Sequence, residues 1–178
     1  MDWKGAIAAL AALGIAASSA MFVDTEEVAI VYRFGAVQRV AGSGLSFRLP
    51  LPVETDERLR VTEVRTVDPG QSRLLTGDAN LVEVHPVAQY TVSDPVAYAT
   101  TMSDPASAVA AVVESSVTAV LGRSAVDPET FINRSALKAA IQEAAQKQLD
   151  ELQLGVRLES LEIRSLAAPS AVSEAFND

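Results

Sequence analysis

Apolar and polar positions along this chain change rhythm three times. Residues 5–23 are uncharged and almost wholly apolar. Beyond them, Val28, Ile30, Tyr32 and Phe34 alternate with other positions, which predicts a strand with one apolar face. Gly35 interrupts that strand, and residues 37–40 return as the second arm of a hairpin. Gly42-Ser43-Gly44 predicts a loop. Leu45, Phe47 and Leu49 then alternate into Pro50-Leu51-Pro52, where two prolines stop any ladder. Residues 59–67 predict another strand, ended by Asp68-Pro69-Gly70. Thr76 to Asn80 forms a turn before a long strand over residues 81–92, inside which Pro86 implies an edge position or a bulge.

The pattern becomes helical after Ser93-Asp94-Pro95, where a domain break is expected. Asp104 caps a helix that carries Pro105 in its first turn and ends at Gly122. Its stripe is Val109, Val112, Val113, Val117, Val120 and Leu121. Asp127-Pro128-Glu129 opens a short helical turn. Ser135 is expected to cap a longer helix with Leu137, Ile141, Ala144, Gln148, Leu149 and Leu152 on one face, closed by Gly155. Val156, Leu158, Leu161 and Ile163 form a final strand whose spacing slips by one, which predicts a bulge. Pro169-Ser170 starts one more helix, with little chain left to extend it.

The first apolar run has the length of a bilayer-spanning helix, which needs about 20 residues. Ile7, Leu10, Leu13, Ile15, Met21 and Phe22 are its large side chains. Lys4 precedes it, while Asp24, Glu26 and Glu27 follow, and no Lys or Arg comes again until Arg33. That bias places the N-terminus in the cytoplasm and the rest outside. A cleaved signal peptide also fits, with Ser18-Ser19-Ala20 as its cleavage site, although the run is longer than a usual signal core.

Charge and composition narrow the partners. Asp and Glu outnumber Lys and Arg 23 to 14, for a net charge of −9, and no basic cluster is expected. Nucleic acid is disfavoured on that ground, and so is adhesion to anionic head groups. No cysteine is present, which removes disulfides and thiol catalysis. Glu83-x-His85 offers two ligands on one strand face, but there is no second His or Cys to complete a zinc site. Asp78-Ala79-Asn80 lacks the oxygens of a calcium loop and suits a turn held by its own side chains. Ser135-Ala136-Leu137-Lys138 matches Ser-x-x-Lys without the companion hydrolase motifs. No catalytic, metal or cofactor-binding constellation emerges, so the chain is not expected to be an enzyme. The segment Leu45, Phe47, Leu49, Pro50, Leu51 and Pro52 has two readings: insertion into the interfacial layer of a membrane, or packing onto its own domain.

Several segments together resemble the SPFH family (stomatin, prohibitin, flotillin and HflK/C, also called band 7). They are Val28-Ala29-Ile30-Val31-Tyr32-Arg33-Phe34-Gly35 and Gly44-Leu45-x-Phe47-x-Leu49-Pro50-x-Pro52. Leu75-Thr76-Gly77-Asp78-x-Asn80-x-Val82-x-Val84, Gln89-Tyr90-x-Val92-x-Asp94-Pro95, Glu114-Ser115, Val120-x-Gly122 and Pro169-x-x-Val172-x-x-Ala175-Phe176 narrow it to the HflK branch. The resemblance implies an α/β (α+β) chain: an anchor over residues 1–23, a β-rich SPFH1 domain over 24–94, an α/β SPFH2 domain over 95–168, and the start of a helix over 169–178. It also implies a non-enzymatic scaffold in the bacterial inner membrane with its SPFH domains in the periplasm. Such a scaffold assembles with an HflC-like subunit around an FtsH-type AAA+ protease, as a large homo- or hetero-oligomer. Val172, Ala175 and Phe176 are then the candidate subunit-packing residues. A related scaffold that organises lipids or another membrane protein, without a protease, is the alternative. Two features depart from the family pattern. Only four residues precede the apolar run, and the chain stops at Asp178 where relatives continue into a long wall-forming helix.

Overall fold

The computed structural model describes residues 3, 19–50, 52–124 and 134–167. The chain divides into two compact units, one up to Glu63 and one from Val64 onward.

The first unit is built from short antiparallel strands. Strand β1 (Ala20–Val23) pairs with β4 (Gly44–Phe47), setting Phe22 opposite Leu45 and Ala20 opposite Phe47. A three-stranded sheet has β2 (Glu27–Arg33) at its centre, between β3 (Ala36–Ala41) and β5 (Glu54–Arg60). Met21 and Val23 from β1 form one buried cluster with Ala29, Val31 and Ala41 of the three-stranded sheet. Because side chains alternate across a strand, burying Met21 and Val23 turns Ala20 and Phe22 outward.

Two expectations are corrected here. Met21 and Phe22 belong to this strand, not to the anchor, because Met21 is core and Phe22 is a ladder residue. An apolar strand that directly follows an apolar run has no composition boundary to reveal it. Phe34 is 82% exposed instead of lying on the apolar face. It and Gly35 form a two-residue hairpin turn with φ of 51° and 84°, the doubly positive pair that matches strand twist. Ile7, Leu10, Leu13 and Ile15 lie outside the described residues, and among the described residues no helix is long and apolar enough to cross a membrane.

The second unit is organised on β8 (Leu81–Val92), which pairs with β7 (Ser72–Leu75) and β6 (Arg65–Val67) along one edge and with β9 (Val156–Ala167) along the other. Residues 59–67 therefore do not form one strand. They end β5 and begin β6, with the division between units falling between. That division precedes the expected break at residue 94 because β8 recruits its partners from both sides in sequence. Pro86 sits in a central strand, at a register shift with β9 and in the gap between the residues paired to β7 and those paired to β6. Its missing N–H costs no ladder bond on the β6/β7 side, so the bulge reading holds and the edge reading does not. The slip foreseen between Leu158 and Leu161 is also present: Tyr90 pairs with Leu158 and Gln89 with Ser160.

Helix α1 (Pro95–Thr100) is capped by Asp94, and α2 (Pro105–Leu121) by Asp104, whose carboxylate accepts from the Ser107 N–H. The α2 stripe is buried at Val109, Val112, Val113, Val117 and Leu121, with Ser116 among them. Helix α3 (Arg134–Glu151) buries Leu137, Ile141, Ala145 and Leu149. Ala145 takes the place expected for Ala144, and Leu152 lies half-exposed past the helix end. Ser135 stands within the first turn. Two glutamines of α3 finish the sheet: Gln146 donates to the Val156 carbonyl at 3.2 Å and accepts from the Leu158 N–H at 2.8 Å. Gln142 donates to the Leu158 carbonyl at 3.3 Å. An amide side chain thus occupies the start of an edge strand, where backbone groups would otherwise lack partners.

Candidate functional site

An open sheet normally presents polar side chains on the face opposite its core. The β1–β4 pair does the opposite. With Met21 and Val23 inward, its outward row is Ala20, Phe22, Leu45 and Phe47, and the three large residues are 64%, 65% and 62% exposed. Leu49 continues the row half-exposed, and Pro50 and Pro52 stand in the turn that follows, where the Val53 N–H donates to the Pro50 carbonyl at 3.1 Å. Leu51 lies outside the described residues. An exposed apolar row of this kind is unusual on a strongly charged chain. Of the two readings open for residues 45–52, the exposure of Leu45 and Phe47 leaves most of each side chain unpacked against its own domain. Phe22 was missed as a member because it hid inside the apolar run.

The platform under this face is held by one buried carboxylate. Glu54, 1% exposed, accepts from the Leu49 N–H at 2.8 Å and from Arg33 Nε and Nη2 at 3.1 and 2.7 Å. Arg39 Nη2 lies 3.8 Å from the same carboxylate and donates to the Phe47 carbonyl. Asp56 joins Arg48 at 3.0 Å and Arg58 at 3.5 Å. The Arg48 N–H donates to the Ser19 carbonyl at 2.7 Å, tying the start of β1 to the end of β4. The sequence predicts no basic cluster, yet β2, β3, β5 and the end of β4 gather arginines from positions 33, 39, 48 and 58 around Glu54 and Asp56. That correction matters, because clustering decides electrostatics and is invisible to composition.

Glu54 is held below the ordinary carboxylate range, first by the Leu49 N–H and then by the Arg33 guanidinium. A carboxyl lowered in the folded state stabilises the fold above its unfolded value, about 4.3, and that contribution disappears as pH falls through the folded value. Glu54→Gln is therefore expected to be less stable at neutral pH and to lose less on acidification below about pH 4.3. Circular dichroism melts across an acid series read the difference, and parallel curves for both proteins would remove Glu54 from this role.

The remaining candidates resolve into structure. Thr76, Asp78 and Asn80 close a turn on their own side chains, with Asn80 Nδ2 donating to Asp78 at 2.6 Å. His85 Nε2 stands 2.7 Å from Asp68, which also meets Arg164 at 3.4 Å. Glu83 takes Arg73 at 2.6 Å and Gln71 at 3.0 Å. The Lys138 ammonium of the Ser-x-x-Lys match donates to Glu162 at 2.7 Å. In the core, burial and the Tyr98 hydroxyl 3.1 Å away push the Tyr90 hydroxyl well above the ordinary phenol range, while Arg65 donates to Tyr98 at 2.8 Å. Val172, Ala175 and Phe176 lie outside the described residues.

These features define a mixed α/β protein whose first unit carries an exposed apolar row. The model of the SPFH domain / Band 7 family matches residues 21–178, and the chain belongs to that family. It is similar to Protein HflK of Borreliella burgdorferi, 25% identical over 92% of this chain and 58% of the relative. It is also similar to Protein HflK of Vibrio parahaemolyticus, 26% identical over 88% of this chain and 38% of the relative. The protein named Modulator of FtsH protease HflK of Escherichia coli is 25% identical over 97% of this chain and 41% of the relative. The chain thus spans between 38% and 58% of the length of these relatives.

Proposed function

We propose that this chain is a non-enzymatic SPFH scaffold subunit held at the bacterial inner membrane. In this reading it assembles with an HflC-like subunit and modulates an FtsH-type AAA+ protease. The observation that carries the membrane part is the outward row of Phe22, Leu45 and Phe47, all exposed and adjoining the apolar run that ends at its first strand. Membership in the SPFH family and the printed name of the Escherichia coli relative support the protease part. The physical mechanism is lateral exclusion. The anchor proposed for the N-terminal apolar run and the β1–β4 face fix each subunit to the periplasmic side of the bilayer, and a closed set of such subunits limits which proteins reach the enclosed membrane. Nothing in this role calls for a reacting group.

The test is a tagged pull-down of the complete gene product in mild detergent, with partners identified by mass spectrometry. An HflC-like protein together with an FtsH-type protease is the expected recovery. Recovery of a transporter or of lipid alone would assign the chain to membrane organisation without a protease.

A further inference from the structure

Beside the apolar row of the first unit lies a hollow of about 330 Å³. Arg33, Arg39 and Arg48 line it, with Ser19 and the apolar Phe47 and Leu49. Its fourth wall is Glu54, whose oxygens are already taken by Arg33 and the Leu49 N–H. The guanidinium groups are more numerous than the local carboxylates require. Among the described residues, the ion pairs of Arg33, Arg39, Arg48 and Arg58 run to Glu54 and Asp56, four guanidinium groups to two carboxylates in a chain whose net charge is −9. One donor is unused as well: among the described residues the buried Nε of Arg48 has no hydrogen-bond partner, while Arg39 donates to the Phe47 carbonyl and lies 3.8 Å from Glu54. Buried donors left without acceptors are costly, and planar guanidinium groups suit phosphate oxygens.

We propose that this hollow binds the phosphate of an anionic phospholipid in the bilayer. The position of the hollow selects a lipid over a free anion. Phe47 and Leu49 form its rim and also belong to the exposed apolar row, so a phosphate held by Arg39 and Arg48 has acyl chains beside side chains that match them. Ser19, whose carbonyl accepts from the Arg48 N–H, also lines the hollow and directly follows the apolar run of residues 5–18, which in the bilayer reading brings the hollow to head-group level. The inference rests on the bilayer reading of the apolar row and adds to it a lipid preference, against the chain's overall acidity.

Native mass spectrometry of the complete chain, released from a neutral detergent holding equal phosphatidylglycerol and phosphatidylcholine, tests it. Both head groups offer a phosphodiester, but only phosphatidylcholine adds a quaternary ammonium that the arginines repel, so the phosphatidylglycerol adduct should exceed the phosphatidylcholine adduct at least about tenfold. Arg39→Gln with Arg48→Gln should bring that ratio near one, and Arg48→Lys should leave it intermediate, since an ammonium keeps charge but not the planar fork. Where Arg48→Gln fails to fold by circular dichroism, the half-buried Arg39→Gln alone decides. A wild-type ratio near one, or a ratio unmoved in the variants, overturns the proposal. Inorganic phosphate that strips the adduct at equal concentration overturns the choice of a lipid. The two readings fail separately: Phe22→Asp with Phe47→Asp removes vesicle association and leaves every guanidinium in place, whereas the arginine variants leave association with neutral vesicles intact.

Discussion

Gly155→Ala should lower the stability of the second unit by about 2–4 kcal/mol, a size reserved for backbone strain combined with a steric clash. Gly155 has φ of +65°, where any Cβ is disfavoured. A Cβ there would also lie 2.4 Å from the Asp94 carbonyl oxygen and 2.9 Å from the Ala97 Cβ. Backbone and a short side chain cannot swing away as a lysine tip could. The residue is moreover a junction. Its carbonyl accepts from the Ser93 and Asp94 N–H groups, each at 2.9 Å, so one position joins the end of α3, the start of β9, the end of β8 and the cap of α1. Relief of the clash must disturb at least one of these. Chemical denaturation followed by circular dichroism measures the effect, and for a unit of this size the melting temperature should fall by roughly 5–15 °C. A loss below about 0.5 kcal/mol, the scale of a neutral surface change, would show that the α3–β9 connection is slack.

That junction also shows why some of the fold was legible in the sequence. Helix α2 could be read to its ends because each signal is local: Asp104 at the cap, Pro105 in the first turn, Gly122 past the last, and valines at helical spacing. The bulge in β9 was equally local, since a slip in alternation reports itself within a few residues. What failed was information carried across the chain. The place where one unit ends depends on β8 finding β9 some seventy residues later, which no local pattern near Asp94 records. The role of Phe22 depends on whether a partner strand lies beside it, and Leu45 supplies that partner from a distance. The basic cluster is the strongest case. Four arginines spread through an acidic sequence carry no signal of proximity until β3 and β5 pair on either side of β2 and the end of β4 joins them. Candidate chemistry suffered from the reverse: Ser135, Lys138, Glu83 and His85 made suggestive spacings, and each acquires an ordinary structural neighbour or position in the fold.

Replacing Phe22 and Phe47 with aspartate should abolish membrane association through the β1–β4 face while leaving the fold intact. Both side chains are more than half exposed and sit on the outward face, away from Met21 and Val23, so neither contributes to the buried cluster. They are diagonal across the two-stranded pair, Phe22 opposite Leu45 and Phe47 opposite Ala20, so the new carboxylates do not stand directly opposite each other. Burying one phenylalanine is worth at least about 1.5 kcal/mol, and two together about 3 kcal/mol, before adding the cost of bringing carboxylates to an apolar layer. Partition onto vesicles should therefore fall more than about a hundredfold. The measurement is flotation with neutral phosphatidylcholine vesicles, using a chain that begins at Ser19 so that the apolar run does not mask the face, with its melt checked first against the variant. Loss of flotation with an unchanged melt would establish the row as a membrane contact. Unchanged flotation would mean that the row meets a protein instead, and the scaffold would then be tied to the bilayer by the N-terminal run alone, free to tilt rather than fixed at two points.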